Sequence, residues 1–205
     1  ARRRMWERIK QISDLFKNVY WVENMMTKVR PILATQWAYF FVKEQQTKYL
    51  YSQYWDLSKY IYGIWIAPYM WLSLSWATTP QDLSNFVRTE WLKSAKKLFE
   101  WNAKIATKYR VKLVAYEWGF DVYWTSINKD LVKQYFDSEL LKNDLTAYFN
   151  SWREISNWWL FMWYFYWASN RDIWYIYWTT DNLKNTNTFH IQAIKEYRGK
   201  QAVTL

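Results

Sequence analysis

Lys112-Leu113-Val114-Ala115-Tyr116-Glu117 is a four-residue apolar run between a lysine and an acid. It is too short for a stable helix, but it suits a strand buried on both faces of a parallel sheet. Residues 79–108, just upstream, supply the helix that a parallel strand needs as its crossover. Thr79 can cap, Pro80 fits the first helical position, and Asp82 falls in the first turn, where the helix dipole favours an anion. Leu83, Val87, Trp91, Leu98 and Ile105 mark the inner face of this helix. Residues 130–155 downstream read as another helix, with Leu141, Leu145, Tyr148, Trp152 and Ile155 at spacings of four and three.

The same alternation extends in both directions. Residues 30–36, 62–69 and 160–166 are further short apolar runs, and a weaker one covers 173–178. Helices are expected at 5–19, with Met5, Ile9, Ile12, Phe16 and Val19 as the apolar stripe, and at 38–54 and 188–197. Strands separated by helices imply parallel pairing with right-handed crossovers. The expected fold is α/β, a partial (β/α) barrel of about four parallel strands in one domain spanning 1–205.

Composition narrows the chemistry. No run of apolar residues is long enough to span a bilayer, so no membrane span is expected. The chain has no Cys, and His190 is its only histidine. A disulfide framework, a thiolate metal site and a histidine triad are therefore not expected, nor is a cofactor. The net charge is +10. Outside Arg2-Arg3-Arg4, however, the basic residues are scattered among acids along helix faces, so specific nucleic-acid binding is not expected. Acid-base chemistry would have to come from carboxylates.

In a (β/α) barrel the functional side chains stand at the C-terminal ends of the strands. That rule selects Gln36, Tyr69, Tyr116, Glu117, Trp163 and Tyr164. A carboxylate flanked by an amide, phenols and indole suits a sugar, because aromatic faces stack on pyranose rings while polar groups bind hydroxyls. The plainer alternative is that these aromatics are core and Glu117 ends a strand in solvent. Asp121 and Asp172 are weaker acids, read as a surface group and a turn residue, and His190 reads as structural.

Val114-Ala115-Tyr116-Glu117 with Gly119, Ala67-Pro68-Tyr69, residues 30–36, and Leu160-Phe161-Met162-Trp163 together resemble successive strands in the C-terminal half of glycoside-hydrolase-like (β/α)8 barrels, bacterial cellulose-binding-like proteins among them. The resemblance runs from about Trp6 to Tyr197. It implies a retaining enzyme with Glu117 as nucleophile and Gln36, Tyr69, Tyr116, Trp163 and Tyr164 as substrate contacts. The acid/base carboxyl of such enzymes follows Asn, and this chain has no Asn-Glu dipeptide. The implied partners are a polysaccharide or oligosaccharide, and either a second copy or an N-terminal half that supplies the acid. The implied location is extracellular or at the cell surface, with any export signal removed. A non-catalytic polysaccharide-binding or self-assembling structural subunit is the alternative.

A third reading, a designed or imperfectly determined sequence, comes from the glycines. There are 3 of them, where ordinary usage gives about 14 in a chain of this length. Trp118, Trp158 and Trp159 stand where the resembled family has Gly, and a bulky aromatic is a poor substitute in a turn that needs positive φ. Tryptic peptides covering residues 112–171 test this by mass: Gly at 118, 158 and 159 supports the reading, and Trp there rejects it.

Overall fold

The computed structural model describes residues 2–35, 39–72, 74–115, 118–121, 128–156 and 187–202. The chain is α/β, and its described residues divide into two compact units. The first draws on Ala1–Pro68 and Leu98–Tyr116, the second on Tyr69–Lys97, Glu117–Trp159 and Trp163–Leu205.

The first unit opens with helix α1, Arg2–Tyr20, followed by strand β1, Ile32–Ala34, helix α2, Phe40–Tyr54, and strand β2, Gly63–Ile66. Helix α4, Leu92–Lys108, which belongs to this unit from Leu98 on, leads into strand β4, Lys112–Ala115. The three strands pair in parallel in the order β1-β2-β4, with Leu33 beside Ile64 and Trp65 beside Val114. β2 is central because it pairs with β1 on one side and β4 on the other, and Ile64 and Ile66 bury one of its faces completely. Gly63 permits the close approach of β2 to β4, since a Cβ there would meet the Lys112 carbonyl oxygen at 2.8 Å. α1 rests on α2 through Trp6 and Tyr49, whose ring centroids are 5.7 Å apart, and Lys10 sits over the Tyr60 ring at 4.8 Å.

In the second unit strand β3, Tyr69–Trp71, pairs in parallel with strand β5, Gly119–Asp121. Helix α3, Pro80–Phe86, starts with the expected cap. The Thr79 hydroxyl accepts from the Asp82 N–H at 3.2 Å, and the Asp82 carboxylate accepts from the Thr79 N–H at 2.8 Å. A π-helical turn at Val87–Trp91 joins α3 to α4, so the expected helix over 79–108 is continuous but widened in the middle. Helices α5, Lys129–Phe136, α6, Glu139–Ser156, and α7, Phe189–Ala202, complete the unit. Leu141, Leu145, Tyr148 and Trp152 of α6 are all fully buried, as their spacing predicts, and Phe149 lies 5.0 Å from the Tyr197 ring of α7.

Two elements differ from the sequence expectation. The run 62–69 is not one strand: β2 stops at Ile66, Ala67 and Pro68 intervene, and Tyr69 begins β3 in a different sheet. Proline has no N–H for the ladder and restricts the residue before it, so the run divides there. The helix expected over 130–155 is two helices, because the Ser138 hydroxyl donates to the Tyr135 carbonyl at 2.6 Å and competes with the helical ladder. The strands expected at 160–166 and 173–178 lie outside the described residues.

Two tryptophans occupy backbone conformations suited to glycine. Trp21, just past α1, has φ 63 and ψ 159, a region held almost solely by Gly. Trp55, just past α2, has φ 60 and ψ −68, and the Asp56 N–H donates to the Tyr54 carbonyl at 2.7 Å around it, a γ-turn of the strained hand. Both side chains are more than half exposed, and Trp55 keeps one stacked neighbour, Tyr51, at 5.3 Å between ring centroids, so packing offsets only part of the strain. Trp21→Gly and Trp55→Gly are each expected to stabilise the chain by about 1 kcal/mol, the relieved strain less the added unfolded-state entropy of Gly. Urea melts read this as a higher midpoint at an unchanged slope, and a lower midpoint for both variants refutes it.

Candidate functional site

The parallel register brings the C-terminal ends of β1, β2 and β4 to one edge of the first unit's sheet. Of the side chains the strand-end rule selected, Gln36, Tyr116, Glu117, Trp163 and Tyr164 lie outside the described residues. Tyr69 is described, half-buried and paired with Gly119. It therefore opens β3 rather than ending β2, which corrects its placement at a strand end. Asp121 closes β5 opposite Trp71, and Asp172 lies outside the described residues.

The polar side chains that the structure does gather come from α2, a helix whose stripe the sequence left unread. Its inward positions are Lys43, Gln46, Thr47 and Leu50, three polar and one apolar, and all four are buried. The Thr47 hydroxyl donates back to the Lys43 carbonyl at 2.9 Å. The Gln46 amide reaches the Ala34 carbonyl at the end of β1, at 3.5 Å. The Lys43 ammonium has no hydrogen-bond partner among the described residues, and burial pulls its pKa from 10.5 down to about 7. The missing apolar stripe was the available sequence signal: three polar residues at helical spacing on a buried face mark α2 as exceptional.

The outer side of the same helix lines an open groove of about 560 Å³. Phe41, Glu44, Gln45, Lys48 and Tyr51 of α2 face Lys108 and Tyr109 at the end of α4. The Tyr51 and Tyr109 rings lie 5.5 Å apart and tilted by 58°. Glu44 accepts from Lys108 at 3.1 Å, and this bond raises the Lys108 pKa. The groove therefore offers the Phe41 and Tyr51 rings, an amide, two amines and one carboxylate already neutralised by its neighbour, with the Tyr109 ring buried beneath them. That set can bind a hydroxylated ring by stacking and hydrogen bonding. Among the described residues it lacks the pair of carboxyl groups that glycosidic hydrolysis requires.

The second unit buries a carboxylate. The Asp144 carboxylate, 1% exposed, accepts from Arg88 Nε at 2.6 Å and from the Tyr135 hydroxyl at 2.8 Å. Burial, then the Asp144 charge, pushes the Tyr135 pKa well above its usual value. Asp144 thereby ties α6 to α5 and to the π-helical turn, and with both oxygens engaged it is architectural. His190 packs edge-on against Phe136 at 5.2 Å, and burial lowers its pKa to about 4, so it stays neutral and serves packing.

No protein-family model matches the chain, and no curated protein or solved structure matches it. Among the described residues no helix is long and apolar enough to cross a membrane.

Proposed function

We propose that the protein binds polysaccharide or oligosaccharide on a partial (β/α) barrel, with the groove between α2 and the end of α4 as its described sugar contact. The observation that carries this reading is the placing of the Phe41 and Tyr51 rings beside an amide and a carboxylate in one open groove. The barrel part of the proposal draws support from β1, β2 and β4, which lie side by side in chain order, as successive barrel strands do. The resemblance described above supports an extracellular or cell-surface setting. Catalysis belongs to the proposal in one form only: Glu117 acts as nucleophile if a second copy or an N-terminal half supplies the acid.

Two assays separate binding from turnover. Retention on insoluble cellulose or a soluble glycan array, weakened about tenfold by Tyr51→Ala, is the expected result. Retention that is unchanged in Tyr51→Ala, or absent for every glycan, overturns the groove reading. Hydrolysis of an aryl glycoside that is abolished by Glu117→Gln would establish the enzymatic form, and hydrolysis that survives that change would remove Glu117 from it.

The reading that tryptophan occupies glycine positions draws separate support from Trp21 and Trp55, whose φ values of 63 and 60 are those of glycine turns. It concerns the identity of loop residues; the residues that line the groove include no tryptophan, and Trp55 stacks on Tyr51 from just past α2.

A further inference from the structure

α1 carries two different faces. Arg3, Trp6, Glu7 and Lys10 engage Tyr49, Tyr54 and Tyr60, so this side is occupied by α2 and the turn after it. The apolar stripe that the spacing marks as inward lies on the opposite side and is open instead. Ile12 and Phe16 are 43% exposed, and Leu15 and Val19 are 65% exposed. Tyr20 and Val22 extend the patch past the helix end. So many contiguous exposed apolar side chains mark a contact surface rather than ordinary surface scatter.

The pattern specifies the kind of partner. Ile9, Ile12, Phe16 and Val19 recur at three, four and three, the 3.5-residue period of a helix that faces another helix. The charge polarity specifies its direction. The first turn of α1 has no acid, and Arg2, Arg3 and Arg4 crowd the end where the helix dipole is already positive. An antiparallel neighbour brings the negative end of its own dipole to these arginines. If Ile12 of one helix sits against Phe16 of the other, Arg8 falls beside Tyr20, the last residue of α1, where the helix dipole is negative. A second α1 supplies this complement at both ends of the seam. We propose that two copies of this chain associate through an antiparallel α1–α1 seam centred between Ile12 and Phe16. This does not depend on what the groove of the first unit binds.

Light scattering of the full chain from micromolar to submillimolar concentration tests it. The expected mass is twice that of the 25.5 kDa chain. Phe16→Glu and Val19→Glu are each expected to weaken the dimer by about 100-fold while far-UV circular dichroism stays unchanged, because both side chains are exposed in the single chain. Arg8→Glu, which sets an acid against the negative end of the partner helix, weakens it less. If one glutamate variant fails to fold, the other two still read the seam. A monomer throughout the range overturns the proposal, as does a dimer indifferent to all these variants. Sedimentation of a monomer with phosphatidylglycerol vesicles, but not with phosphatidylcholine, also overturns it by assigning the patch to a lipid surface.

Discussion

Lys43→Met is expected to stabilise the protein at neutral pH by as much as about 5 kcal/mol, the free energy that corresponds to an amine pKa of about 7 in the fold against 10.5 in the unfolded chain. The ammonium is fully buried without a hydrogen-bond partner among the described residues, so the fold must either strip it of water or release its proton. Methionine keeps the length and the apolar stem and removes the titrating group. Thermal melts at pH 7 should show a rise of about 10 °C. A drop would mean that the amine is held by a favourable contact.

The pH dependence gives the same argument a sign. Between about pH 7 and 10.5 the unfolded chain binds a proton at Lys43 that the folded chain has released, so the parent's stability rises with pH across that window and Lys43→Met flattens the rise. His190 behaves alike lower down. Its folded value of about 4 lies below the ordinary 6.5, so stability falls as pH falls from 6.5 to 4. The buried phenols of Tyr135 and Tyr148 act in the opposite sense. Burial raises both above 10, so the stability they contribute is complete below pH 10 and is lost as pH climbs past it. Denaturant midpoints across the pH range should accordingly peak near the alkaline end of the lysine window.

Asp144→Ala is the change expected to do most harm, costing about 3 kcal/mol. The carboxylate is the shared acceptor of Arg88 and Tyr135. Arg88, half-exposed, can turn to water, whereas the Tyr135 hydroxyl is enclosed and would be left unpaired. Tyr135→Phe should therefore cost much less alone, and the double variant should be no worse than Asp144→Ala by more than a few tenths of a kcal/mol. Urea denaturation of the three variants forms the cycle. Equal losses for Asp144→Ala and Tyr135→Phe would instead make the Arg88 contact negligible.

Local rules account for what could be read in advance. The strand at residues 112–115 was legible because a short apolar run with flanking helices has one stable use, and the cap at Thr79 because hydroxyl, proline and acid there satisfy free N–H groups within one turn. Tyr69 was misplaced because the run reads as apolar straight through Pro68, and only pairing with Gly119 shows that a new sheet has begun. The groove residues Glu44, Gln45 and Tyr51 gave no signal, since they belong to a helix without an apolar stripe and meet Lys108 and Tyr109 from far along the chain.

The sequence alone determined the alternation of short buried strands with amphipathic helices, since side-chain period and capping are properties of neighbours on the chain. Which strands share a sheet, which lysine loses its water, and which face of α1 is left open were decided by the tertiary structure, because burial and the local dielectric depend on residues brought together from distant positions.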